Sequence, residues 1–324
     1  MSSSPEPYLN IPDRYEDVTA EWLTQALRTG GVLDDQAVTS FRVEPIGADQ
    51  SRTSSLARIA VEYDVRAEGL PGSMFAKFVS RIPGNRKRAN EFDMFRAEIA
   101  LYQNLGDAIP MNMPRMYFGA AKERSDVAVL LLEEIRAISK AGVPLDKRWL
   151  TESEAKLALR ELSKMHAKWW DDPVLDGFKW LADVDSYSRR FLYDTYNESW
   201  RKMKDALEPA LSTTEVRICG GFSSYLPTLI SDLKRMPVTL CHGDFHQGNL
   251  LWDKRGEPRT VWALDWQLPN TGPAVIDVAW FLGMGVAKAD VHHVQQKYLP
   301  NYHDALLGHG AANYEYDRFL SDYK

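Results

Sequence analysis

From Thr19 to Leu27 the apolar residues fall at 22, 23, 26 and 27 behind a cap-forming threonine, which predicts a short amphipathic helix ending near Gly30-Gly31. The polar, proline-containing stretch 1–12 before it reads as a loose arm. From Val38 the pattern turns to strands: Phe41–Ile46, a small polar segment Gly47–Ser55, then Leu56–Val65, whose later half alternates apolar and polar. Ser73–Ser80 is a third strand, apolar except for Lys77. Residues 81–90, with Arg86-Lys87-Arg88, read as a solvated loop, and Phe92–Leu105 follows as a helix with apolar positions at 92, 95, 99, 102 and 105. Pro110–Gly119 is a turn-rich connection to a strand near Tyr117, and Asp126–Ile135 is a continuous apolar run of strand type that ends in acids.

The second half has a different texture. Thr151-x-x-Glu154 is a capping-box pattern, and apolar residues at 155, 158, 159, 162, 165 and 169, with His166 on the same face, predict a helix over 151–170 that Asp171-Asp172-Pro173 stops. Residues 180–235 read as mostly helical and aromatic-rich, with an interruption near Gly220-Gly221. Two short apolar strands, Asn249–Asp253 and Thr260–Asp265, flank the turn residues 254–258 and predict a hairpin. Gly272–Leu282 then reads as a loop entering a helix, and the remainder to Lys324 as helical with tyrosines.

At 324 residues the chain is long enough for two lobes with separate cores. A net charge of −6 gives no general reason to expect nucleic-acid binding. Cys219 and Cys241 are the two cysteines and lack metal-type spacing, which fits a reducing, cytoplasmic setting. No secretory leader is expected from Met1–Pro7, and no apolar run approaches the length that spans a bilayer.

The candidate chemistry gathers around the predicted hairpin. A hairpin returns its end to its beginning, so Asp265 is expected beside Asn249, with Asp244 on the loop just before. Two carboxylates and a carboxamide are oxygen ligands of the kind a hard divalent cation such as Mg²⁺ takes, together with substrate phosphates. Asp244 and Asn249 are five positions apart, as are the base and the metal-holding Asn of a protein-kinase catalytic loop. Upstream, a lysine inside a buried strand needs a partner, and Glu98, adjoining the apolar face of the next helix, is the natural one for Lys77. The polar segment Gly47–Ser55 can place backbone N–H groups and the hydroxyls of Ser51, Ser54 and Ser55 around phosphates, although an ordinary hairpin turn has the same composition.

The stretch His242-Gly243-Asp244-Phe245-His246-Gln247-Gly248-Asn249-Leu250-Leu251, followed by Leu264-Asp265-Trp266-Gln267, resembles the aminoglycoside phosphotransferase and choline-kinase-like superfamily, within it most nearly the ecdysteroid-kinase-like group and its bacterial relatives. The resemblance implies an α+β, bilobal protein-kinase-like fold. Residues 1–134 would form a nucleotide-binding lobe with an antiparallel sheet and one key helix, and 135–324 a mainly helical lobe with catalytic and metal loops. It implies ATP and Mg²⁺, with Asp244 as catalytic base, Asn249 and Asp265 on the metal, and Lys77 on the α/β-phosphates oriented by Glu98. Ser51 and Ser54 would lie near the phosphates, the backbone from Glu133 to Ile135 at the adenine edge, and Asp277 would hold the catalytic loop. His166 fits a buried structural histidine better than a catalyst.

The implied reaction moves the γ-phosphoryl group to a hydroxyl of a small molecule. Trp180, Tyr187, Phe191, Tyr193, Tyr196 and Trp200 crowd the stretch where the superfamily builds its acceptor pocket, although helical spacing also fits a core. Asp183, Asp185, Asp194 and Glu198 are spread around that stretch, which favours a mainly apolar or weakly charged alcohol over a polycation. An aminoglycoside-type antibiotic kinase and a nucleotide-binding pseudokinase scaffold are the alternatives. Relatives of this type continue with a further helix, so the natural chain is expected to extend past Lys324.

Overall fold

The computed structural model describes residues 9–47, 53–65, 68–122, 126–135, 150–188, 195–253, 260–285 and 291–324. By their internal contacts the residues form two units, Met1–Gly142 with Leu251–Gln267, and Val143–Leu250 with Leu268–Lys324.

In the first unit, helix α1 (Ala20–Thr29) starts at Thr19, whose side chain accepts from the Trp22 N–H. Strands β1 (Val38–Ile46), β2 (Ser54–Tyr63) and β3 (Ser73–Val79) follow. Helices α2 (Pro83–Glu91) and α3 (Met94–Leu105) precede β4 (Met116–Ala121) and β5 (Ala128–Glu133). The strands make one antiparallel sheet in the order β1-β2-β3-β5-β4. Met74, Ala76 and Phe78 of β3 join Trp22, Leu23 and Leu27 of α1 in the core. Alternation along the strand turns Lys77 to the opposite face, where its ammonium lies 5.9 Å from the Phe95 ring centroid of α3.

The stretch expected as a loop at 81–90 contains α2 instead. Its sequence is polar all round, so periodicity gives no sign of it. Pro83 at the first turn favours helix entry. Arg86 ties the helix to Asp13, 2.7 Å away, and to Asp126.

The second unit holds α4 (Glu152–Lys168), α5 (Val184–Ser188), α6 (Thr195–Leu207), α7 (Thr213–Leu233), α8 (Ala274–Gly285), α9 (Val291–Lys297), α10 (Leu299–Gly308) and α11 (Tyr316–Tyr323). The Thr151–Glu154 capping box is formed as the sequence suggests. Helix α7 runs through Gly220-Gly221 rather than breaking there, carried by a second capping box, Ser212 with Glu215. Strands β6 (Ala182–Asp183), β7 (Thr239–Cys241) and β10 (Asn270–Gly272) form a small sheet ordered β6-β10-β7. The chain leaves this unit through β8 (Leu250–Asp253), pairs it with β9 (Thr260–Ala263), and returns after Gln267.

Candidate active site

Two groups of polar side chains stand out, one in each unit. In the first unit Lys77 is only 5% exposed, yet it meets two carboxylates. Its Nζ lies 2.7 Å from Glu98 Oε2 and 2.6 Å from Asp265 Oδ1. Burial works against the lysine charge, but Asp265 and Glu98 outweigh it and hold the ammonium above its ordinary range. Burial pushes the Glu98 carboxyl up to about 7 against the pull of Lys77, and the charge on Asp265 adds to the rise. With one cation between two anions, the more deeply buried anion gives up its charge more readily.

Asp265 reaches Lys77 from a left-handed backbone, φ 62°, a conformation that costs an L-residue about 1–3 kcal/mol and is characteristic of functional loops. The turn after β9 is secured by Trp266, whose indole N–H donates to the Ala263 carbonyl at 3.3 Å. Next in line, Gln267 is buried and reaches the start of β2. Its Oε1 accepts from the Thr53 hydroxyl at 2.8 Å, and its Nε2 donates to the Ser54 hydroxyl at 3.4 Å. Ser54, expected within the phosphate-facing loop, is therefore the first residue of β2, paired with Val79, and its hydroxyl is engaged by Gln267. The polar segment is shorter than its composition suggests because strand pairing already begins at Ser54. Ser51 lies outside the described residues. At the end of β5 the Glu133 N–H donates to the Arg115 carbonyl at 2.8 Å and is not available to a base edge. Ile135, half-buried, follows just past the strand.

In the second unit β7 delivers the loop His242–His246. Gly243 has φ 80°, and a Cβ there would sit 1.9 Å from the Leu268 carbonyl oxygen, so only glycine fits. The loop is held from below by Asp277 of α8, which accepts from the His242 N–H at 2.7 Å and the Gly243 N–H at 2.9 Å. His166 Nε2 lies 3.3 Å from the same carboxylate, and its Nδ1 lies 2.6 Å from the Tyr302 hydroxyl. All three side chains are buried. His166 is thus a hydrogen-bonded structural residue, and Asp277 supports the loop.

Asp244 emerges from this scaffold with about 30% of its side chain exposed. Its Oδ1 accepts from Trp280 Nε1 at 3.1 Å and its Oδ2 from Asn249 Nδ2 at 3.2 Å, while His246 Nε2 stands 3.6 Å from Oδ2. Burial pushes the carboxyl up, but His246, His242 and the Trp280 N–H outweigh it and hold Asp244 below the usual carboxylate range. It stays ionised and can accept a proton. Asn249 also donates to the Asp244 carbonyl at 2.9 Å. Among the described residues the second carboxylate oxygen of Asp265 has no hydrogen-bond partner. A carboxylate and a carboxamide, one in each unit, are oxygen donors of the type that a hard cation such as Mg²⁺ takes.

The structure thus joins Lys77, Glu98 and Asp265 in one unit, and Asp244 and Asn249 in the other. Gln267, His246 and Trp280 were missed in the sequence. Gln267 and His246 stand inside the motifs themselves, whereas Trp280 is 36 positions from its partner Asp244 and gave no local signal.

No curated protein matches the sequence closely enough to count as a relative. Among solved structures, the GDP complex of an aminoglycoside 2'-phosphotransferase-IIIa variant is similar, at 15% identity, covering 94% of this chain and 86% of that one, with a TM-score of 0.51. A macrolide 2'-phosphotransferase from Brachybacterium faecium is similar at 13% identity, covering 94% and 87%, with a TM-score of 0.48. At such identities the likeness is one of fold, and the first of these shows the protein-kinase-like architecture. The model of the ecdysteroid kinase-like family matches residues 50–312, a span that takes in Lys77, Glu98, Asp244, Asn249, Asp265 and Asp277. The chain belongs to the ecdysteroid kinase-like family.

Proposed function

We propose that this small-molecule phosphotransferase is ATP-dependent and transfers the γ-phosphoryl group to a hydroxyl of a mainly apolar or weakly charged alcohol. The observation that carries the reading is Lys77, a buried cation held between two carboxylates. Burying Lys77 and Glu98 together is costly, and a perturbed buried pair of this kind, with the partly exposed Asp265 on the same ammonium, favours a site over a scaffold. In kinases a strand lysine paired to a helix glutamate positions ATP phosphates, and Lys77 with Glu98 has that form. Asp265 and Asn249 would hold Mg²⁺, which when bound neutralises phosphate charge. Asp244, ionised and fixed by Trp280 and Asn249, orients the acceptor hydroxyl and takes its proton as the oxygen attacks phosphorus. The bond from phosphorus to the bridging oxygen breaks, and ADP departs.

The acceptor reading draws on the charges of the second unit. Asp185 lies 3.3 Å from Lys234 and Glu198 lies 2.6 Å from Lys202 on its own helix, so each of these acids already has a cation beside it, which argues against a carboxylate cluster built for a polycation. Of the aromatics noted in the sequence, Phe191 and Tyr193, like Asp194, lie outside the described residues. Tyr196 packs against Phe222, the rings tilted by 55° with centroids 4.7 Å apart. The test is ATP turnover over a panel of alcohols, with the phosphorylated product identified by mass spectrometry. Phosphorylation of aryl or alicyclic alcohols is expected. Turnover of kanamycin-like compounds alone would reverse the acceptor assignment, and retention of full turnover by Asp244→Ala would remove its role.

A further inference from the structure

Helix α8 has a composition at odds with its exposure. Apart from Asp277 its residues from Ala274 to Gly285 are alanine, valine, isoleucine, tryptophan, phenylalanine, leucine, methionine and glycine, and a helix apolar all round normally lies inside a protein. One side obeys the rule, with Val275, Val278, Phe281 and Leu282 buried. The other does not. Ala279, Trp280, Gly283 and Met284 are open, with Trp280 42% and Met284 48% exposed. Trp280 and Met284 are four residues apart and so are neighbours on one face of the helix.

Exposed apolar residues are common singly and need no explanation. This stripe differs because it begins at the catalytic carboxylate. The Trp280 N–H holds Asp244 Oδ1 and Asn249 holds Oδ2, so both oxygens are fixed and the lone pairs left over have set directions. An aromatic ring that spends its polar edge on Asp244 while much of its surface stays open combines a polar handle with an apolar surface, the pairing that suits tryptophan to recognition sites. A ligand site of this class needs mainly apolar walls and few polar groups.

We propose that Trp280 has two tasks toward the acceptor: its N–H positions Asp244, and its ring, with Met284, is the apolar wall on which the acceptor's carbon skeleton lies. The substrate class is then an alcohol with a flat apolar body, aryl or alicyclic, close to the reacting hydroxyl. This rests on the phosphotransfer reading above. As a positioning residue Trp280 acts on turnover through Asp244, and as a wall it acts on acceptor affinity, so two substitutions separate the tasks. Trp280→Phe keeps a ring but loses the N–H, and Trp280→Ala loses both.

The experiment is steady-state kinetics at saturating ATP with naphthalenemethanol, cyclohexanemethanol and ethanol as acceptors. Trp280→Phe is expected to lower kcat about tenfold while leaving KM for the two ring alcohols within about twofold. Trp280→Ala is expected to raise KM for the ring alcohols about tenfold as well, with KM for ATP unchanged in both variants. Wild-type KM for the ring alcohols in Trp280→Ala would overturn the wall, and wild-type kcat in Trp280→Phe would overturn the positioning. Binding is read independently by fluorine NMR of protein labelled with fluorotryptophan, the Trp280 resonance being the one missing from Trp280→Phe. Movement of that resonance with naphthalenemethanol supports the wall even if no alcohol is phosphorylated, in which case the phosphotransfer reading alone fails. A resonance that no alcohol moves would overturn the wall. So would a dimer in sedimentation that Trp280→Ala dissociates, because the stripe would then be covered by a second copy of the chain.

Discussion

The behaviour of the candidate site depends on how individual charges are held. Asp244 is depressed below the ordinary carboxyl value of 3.8, burial being outweighed by His246, His242 and the Trp280 N–H. A folded-state value below the unfolded one means that the ionised group adds stability above the unfolded value, and that this stability is lost as pH falls through the folded one. Asp244→Asn should therefore unfold less steeply with acid below about pH 4, measured by circular dichroism across the acid range. The same variant should lose kcat by about 10²–10⁴-fold while titrating Mg·ATP as the wild type does. Asp265→Ala should behave in the opposite way, weakening Mg·ATP binding itself. Lys77→Ala leaves the buried Glu98 and the partly exposed Asp265 without their cation. Glu98 can then take up a proton, so the variant should lose less than the roughly 3–5 kcal/mol of a buried pair broken with its charge kept, read as a lowered denaturant midpoint. The acids at 244 and 265, the amide at 249 and the lysine at 77 were legible in the sequence because their types and spacing are chemically restrictive. Trp280 was not, because its partner is brought to it only by the fold.

Whole elements hold these residues where they act, and here the most informative support is Asp277. It is fully buried and is the acceptor for two successive N–H groups of the Asp244 loop. Removing it strands both donors at about 1–3 kcal/mol each. Asp277→Ala should lower Tm and also lower kcat at temperatures where the protein is still folded, whereas Asp277→Asn, which keeps one acceptor oxygen, should lose less of both. Differential scanning calorimetry with parallel kinetics distinguishes the two. Helix α4 was readable because Thr151, Glu154 and the apolar face agree with one another. Helix α2 was not, since Arg86, Lys87 and Arg88 carry no apolar face and the helix depends on contacts from Asp13 and Asp126 that are far away in sequence. Gly220-Gly221 invited a break because each glycine costs about 1 kcal/mol in a helix interior. The long run from Thr213 to Leu233 and its Ser212–Glu215 cap absorb that cost, and this capping box is the signal that could have been read.

On the scale of the molecule, the segment Leu251–Gln267 belongs to the N-terminal unit although the chain on both sides of it belongs to the other. The attachment is physical. The Asn112 carbonyl accepts from the Ala263 N–H at 2.8 Å, and Asn112 Nδ2 donates to the Val261 carbonyl at 3.2 Å. Gln267 bonds Thr53 and Ser54, and Asp265 supplies one of the two carboxylates on Lys77. The first 142 residues therefore lack part of their own unit. Expressed alone, residues 1–142 keep Lys77 and Glu98 but have neither Asp265 nor the Gln267 clamp at the start of β2. They are expected to be less protected from proteolysis than the same region in the full chain, and to bind Mg·ATP at least tenfold more weakly. Joining residues 251–267 to that fragment through a flexible linker should recover both properties in part. The recovery should be absent when the joined segment carries Asp265→Ala together with Gln267→Ala. Limited proteolysis and nucleotide titration of the three polypeptides check the expectation. A fragment of residues 1–142 that binds Mg·ATP like the full chain would show that the hairpin adds nothing to nucleotide binding, and the role given to Asp265 would fall with it.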